Sequence, residues 1–111
     1  MKDRILKFLE DIKSSIEIIE QHIKGIETLE HYKRDIKTID SVERRLAIIG
    51  EALHQIDKID KSVVVSDKSK IIALRHILVH EYDLIDDATI WLILEKKLPL
   101  LKEEILKLLH Y

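Results

Sequence analysis

Apolar residues recur along this chain at steps of three and four, the spacing that lines one face of an α-helix. Ile5, Leu6, Leu9, Ile12, Ile16, Ile19 and Ile23 follow it from Asp3 to about Lys24, and Gly25 is a natural stop. A second run, with Val42, Leu46, Ile49, Leu53 and Ile56 on one face, predicts a long helix from about Asp35 to Ile59. The polar stretch ETLEHYKRD between them reads as a bridge. SVVVSDKS then predicts an extended connection whose end, Ser66 or Asp67, caps a third helix over Lys68 to Tyr82. A break near Asp83 to Asp87 leads to a fourth helix in ATIWLILEKK, with Asp86 and Asp87 suited to a helix start rather than a metal site. Pro99 suits the first turn of a last helix, LLKEEILKLL.

Composition agrees with that pattern. The 111 residues fit a single domain, residues 1–111, and only two glycines and one proline argue against an all-β fold with many turns. With 46% hydrophobic and 36% charged residues, disorder is excluded too. The expectation is an all-α, antiparallel bundle of four to five helices. A core of this size is modest, so a homodimer is an expected route to further stability. The formal net charge of −2 gives no global sign of nucleic-acid binding, so any RNA contact has to be local. There is no cysteine, which excludes thiol chemistry and disulfides. Apolar runs are too short to span a bilayer, and the charged start MKDRILKFLEDIK is unlike a secretory signal, so a cytoplasmic address is expected.

The segment RHILVHEYD, Arg75 to Asp83, carries the candidate chemistry. At about 100° per residue, Ile71, Leu74, Ile77, Leu78 and Val79 cover more than half of the third helix, which predicts cover on more than one side. His76 and His80, four apart, share the remaining strip. Arg75 and Tyr82 project from within the apolar arc. A guanidinium there must pair with an acid, emerge at an interface or meet an anion such as phosphate. Histidine exchanges a proton near neutral pH and arginine grips phosphate bidentately, so Arg75 and His80 together suit phosphodiester cleavage without a metal or cofactor. An interfacial salt bridge is the plainer alternative. HILVH also has the spacing to grip zinc, but it lacks the glutamate of a metalloprotease motif and offers no obvious third ligand.

The same residues carry a resemblance. RHILVHEY resembles the R-x4-H-x-Y signature of the HepT-like branch of the HEPN superfamily, small all-α ribonuclease toxins paired with minimal nucleotidyltransferase antitoxins. RRLAIIGEAL is similar to that family's second-helix motif, and EYDLIDDATIWLILEKKLPLLKEEI to its tail, so the likeness covers nearly the whole chain and is strongest from Val42 to Ile105. It implies a homodimer whose signature helices border a shared cleft. It implies metal-independent RNA cleavage by Arg75 and His80, and silencing by transfer of AMP from the antitoxin to Tyr82 as in a type VII-like toxin–antitoxin pair. His76 stands where the family usually has another polar residue, and it is carried as a supporting position. Glu51 is the second supporting candidate. The helical wheel puts it opposite the apolar face, although its small neighbours Ala47 and Gly50 permit close approach of another surface. His22, His31, His54 and His110 read as surface residues, Trp91 and Tyr32 as core or interface. The alternative function is a non-catalytic subunit that binds nucleotide or RNA for a nucleotidyltransferase. A purely structural helical dimer is the third, and it predicts that Arg75 contacts only an acidic side chain.

Overall fold

The computed structural model describes residues 2–110. Among them lie six α-helices and no strand: α1 (Asp3–His22), α2 (Leu29–Arg34), α3 (Ile36–Ile59), α4 (Lys68–His80), α5 (Asp87–Lys96) and α6 (Leu98–Leu108), with a 3-10 turn at Tyr82–Leu84 between α4 and α5. The helical class is as expected, but the number is six. The addition is α2, formed inside the stretch read as a polar bridge. Thr28 caps it by accepting from the His31 amide, and its single buried residue is Tyr32. Asp35 then caps α3 by accepting from the Thr38 amide.

The core is the meeting of α1 and α3, closed by α5 and α6. Ile5, Leu9, Ile12, Ile16 and Ile19 of α1 face Val42, Leu46, Ile49, Leu53 and Ile56 of α3, all buried. Each such side chain contributes about 1.5–3 kcal/mol on leaving water. Tyr32 and Trp91 pack their rings together at 5.4 Å between centroids, which places both in the core. The Tyr32 hydroxyl is buried without a hydrogen-bond partner, and burial, with the nearby Glu43 and Asp87 charges, pushes its pKa well up. The molecule measures 41 × 30 × 19 Å. Its thinnest dimension is about two helix diameters, so the bundle is two layers deep.

That thinness leaves α4 poorly covered. Among the helices it packs only on α3, and none of its residues is buried, although Ile71, Ile72, Leu74, Ile77, Leu78 and Val79 all belong to it. An apolar cavity of about 350 Å³ separates it from α5 and α6, with Ile71, Leu74 and Ile77 on one wall and Ile93, Leu98 and Leu101 on the other.

The entry to α4 differs from the expected cap. Asp67 holds the N-cap position with φ +59°, in the left-handed region, and no side chain caps the helix. Their polar groups are engaged elsewhere. The Ser66 amide and hydroxyl donate to the Glu104 carboxylate of α6 at 3.0–3.2 Å, and Asp67 pairs with Lys97 at 3.0 Å. Lys68 reaches back to Asp57 of α3 at 2.7 Å. The Lys97 ammonium holds the Asp67 carboxyl below its usual range, and the Lys68 ammonium does the same for Asp57. Side-chain ties to α3 and α6 therefore fix the start of α4. The connection before it has turns at residues 61–62 and 66–67, and between them Val63 and Val65 are buried and Val64 exposed, the alternation of an extended stretch.

The end of α4 also differs. The helix stops at His80, not Tyr82: the Glu81 amide closes the last turn on Ile77, and Tyr82–Leu84 turn away as a tighter 3-10 segment. The turn carries the chain to Ile85, which packs against the core. Asp86 then caps α5, accepting from the Ala88 amide and the Thr89 hydroxyl, in keeping with the expected helix start.

Candidate functional site

Arg75 stands where α4 crosses α3. The crossing is close because position 50 is glycine: a Cβ built there would lie 2.6 Å from the Arg75 Cβ and 3.0 Å from the Ile71 carbonyl oxygen. The first carbons of the arginine therefore rest against the α3 backbone, and the guanidinium is carried along the α3 surface. Its Nη1 lies 3.0 Å from Oε1 of Glu51, one residue beyond the glycine. The Arg75 side chain is 23% exposed and that of Glu51 42%, so the pair sits at the edge of solvent. Gln55, one turn further along α3, donates to the other Glu51 oxygen at 2.9 Å. The Arg75 Nε is buried without a hydrogen-bond partner, and a guanidinium has five N–H donors in all, so the Glu51 contact leaves donors over.

Both members of the pair line an open groove of about 530 Å³ between α3 and α4. Its apolar wall comes from Ala47, Ile48, Leu78 and Val79, its charges from Asp40, Glu43, Arg44, Glu51 and Arg75. Three carboxylates thus face two guanidiniums. Burial, reinforced by Asp87 and Asp40, raises the Glu43 pKa above the usual carboxylate value.

His76 and His80 form a separate pair. Both are exposed, and their rings lie 4.9 Å apart between centroids, inclined at 48°. Neither lines the Arg75 groove, and among the described residues no hydrogen bond, ion pair or ring contact joins either histidine to Arg75. Within one chain, then, Arg75 meets Glu51 and His80 meets His76, and the two pairs have different surroundings. Tyr82 is 77% exposed. Because α4 ends before it, Tyr82 lies on the 3-10 turn and not on the helix that carries Arg75, so seven-residue helical spacing does not govern how the two side chains stand to one another.

A protein-family model described as ribonuclease HepT-like matches residues 12–108. The match takes in every helix from the middle of α1 to the end of α6. The chain belongs to the ribonuclease HepT-like family. No curated protein and no solved structure matches it.

Within this HepT-like chain, sequence reasoning had isolated Arg75, His76, His80, Tyr82 and Glu51 but not their pairings. Glu51 is the acid that Arg75 required, and the small residues beside it were the available signal. The charged groove residues Asp40, Glu43 and Arg44 were missed; they read as ordinary solvated helix positions, and only the α3–α4 crossing brings them beside Arg75. The four other histidines lie apart: His22, His31 and His110 are exposed as expected, whereas His54 is partly buried on α3. Among the described residues no three His, Cys, Asp or Glu side chains converge so as to hold a metal ion, and no helix is long and apolar enough to cross a membrane.

Proposed function

We propose that this protein is a metal-independent endoribonuclease toxin acting as a homodimer, with Arg75 binding the scissile phosphate and His80 moving the proton. The family match supports the reaction class. The observation that carries the dimer is α4 itself, a helix rich in isoleucine, leucine and valine with no buried residue and only α3 behind it. A second copy laid against α4 would remove that apolar surface from water. It would also bring the Arg75 groove and the His80 surface of two chains to one opening, which a single chain does not do. In such a cleft the imidazole takes the proton of a ribose 2′-hydroxyl or returns one to the leaving oxygen. The guanidinium stabilises the charge that gathers on the phosphate. Glu51 holds Arg75 in place until the phosphate arrives, and His76 flanks His80.

The interface has a direct test. Val79 is 51% exposed on α4, so glutamate is tolerated there by a lone chain. Light scattering should report twice the chain mass for the native protein and a single chain for Val79→Glu. A native monomer at micromolar concentration would remove the shared cleft.

Tyr82 is the proposed acceptor of AMP from a minimal nucleotidyltransferase partner. Its exposure leaves the hydroxyl open to an incoming nucleotide, and an added phosphate brings negative charge where RNA must bind. Co-expression with such a partner should add the mass of one adenylate to the native chain and none to Tyr82→Phe. An unmodified native chain speaks against this part.

A second reading has a specific observation in its favour. Arg75 already has an acidic partner, and the groove around it carries more negative than positive groups. Those are features of a non-catalytic subunit that positions nucleotide or RNA for the transferase. Cleavage of RNA by purified protein in the presence of a chelator separates the two: the first reading requires it, the second forbids it.

A further inference from the structure

We propose that His76 and His80 form a two-histidine site for a divalent transition-metal ion such as zinc, nickel or copper, and that an ion bound there blocks cleavage. Residues four apart on a helix lie one above the other on one face. Here the relation extends to the rings, which stand 4.9 Å apart and inclined rather than diverging into solvent. Metal–imidazole bonds are about 2.0–2.1 Å, so two nitrogens on one tetrahedral ion sit roughly 3.3 Å apart. Side-chain torsions alone can bring facing ring edges from 4.9 Å between centroids to that span. The helix backbone need not move.

The chemistry selects the ion. Neutral imidazole suits zinc, copper and nickel, whereas magnesium and calcium prefer oxygen ligands. Both histidines are exposed, so water can fill the remaining coordination positions and the ion can enter and leave. With no third protein ligand converging among the described residues, this is an exchangeable site, unlike a closed four-ligand structural centre. The ion takes the imidazole lone pair. A coordinated His80 can neither accept the proton of a ribose hydroxyl nor deliver one, so a reaction needing no metal becomes one that a metal stops.

The binding half stands on the ring geometry alone; the inhibitory half rests on the ribonuclease reading of His80. The experiment keeps them apart. The full chain and its His76→Gln and His80→Gln variants are titrated with zinc by calorimetry and with copper by visible absorption, magnesium serving as control. The native protein should bind one zinc per chain more tightly than either variant by roughly ten- to a hundredfold, because the second ligand acts within the same molecule. Magnesium should not bind. The other histidines are present in all three proteins and cancel. Equal zinc affinity in all three overturns the site.

RNA cleavage is then compared with and without saturating zinc, each variant against its own metal-free rate. The native protein should lose at least about tenfold of its activity and recover it with chelator, while His76→Gln at the same zinc concentration should not. Undiminished cleavage with zinc demonstrably bound overturns the inhibitory half. No cleavage under any condition, with binding as expected, defeats the ribonuclease reading and takes the inhibition with it, while the metal site stands.

Discussion

Replacing His80 with alanine is expected to lower RNA cleavage by roughly two to four orders of magnitude, the usual worth of a positioned acid–base group. The loss should come without loss of fold. His80 is exposed at the last position of α4 and takes no part in the core, so its removal should change stability by no more than about 0.5 kcal/mol. Activity and melting temperature therefore separate cleanly at this position, and cleavage equal to that of the native protein would remove the proposed chemistry. Arg75 is less clean. Its removal would open space at the α3–α4 crossing and leave Glu51 without its partner, so lost activity in Arg75→Ala mixes chemistry with structure. The double change Arg75→Ala with Glu51→Ala removes the unpaired carboxylate and is the better comparison. His80 is the sharper probe because nothing in the fold depends on it.

How much of this was legible in the sequence depends on the distance over which each feature is decided. The long helices are local. Their apolar stripes, the Asp35 and Asp86 caps and the proline that opens α6 are all written in consecutive residues, and the structure follows them. Helix α2 was hidden because six residues hold less than two turns, too few to show a period. Only the burial of Tyr32 against Trp91, far along the chain, justifies it. Asp67 looks like a side-chain cap by residue type, yet its backbone is left-handed, with Ser66 held by Glu104 of the distant α6 and Asp67 by Lys97 at the α5–α6 junction. The early end of α4 has no glycine or proline to announce it; Ile85 must reach the core, and the chain turns to let it. The site divides the same way. The His76–His80 pair follows from four-residue spacing. An arginine amid isoleucines implies an acidic or anionic partner, but that the partner is Glu51 is decided by how two helices cross.

That crossing gives the second large expectation: Gly50→Ala should destabilise the protein although alanine is the better helix former. Relative to glycine, alanine in a helix interior gains roughly 0.5–1 kcal/mol. At position 50 the added methyl would lie 2.6 Å from the Arg75 Cβ, 3.0 Å from the Ile71 carbonyl oxygen and 3.5 Å from the Arg75 Cα. None of these is the free end of a flexible side chain. Each belongs to the α4 backbone or is its first branch, so relief requires the helix to lift from α3. Overpacking of this kind costs about 1–3 kcal/mol, more than the propensity gain. The net effect should be a melting temperature lower by several degrees. Function should fall further than stability: as α4 lifts, Arg75 moves away from Glu51 and out of the groove they line, and the apolar face offered to a second copy moves with it. Gly50→Val, with a larger branched side chain, should be worse in both respects. A raised melting temperature in Gly50→Ala, with cleavage unchanged, would mean that the two helices do not meet this closely, and the placement of Arg75 would have to be abandoned with it.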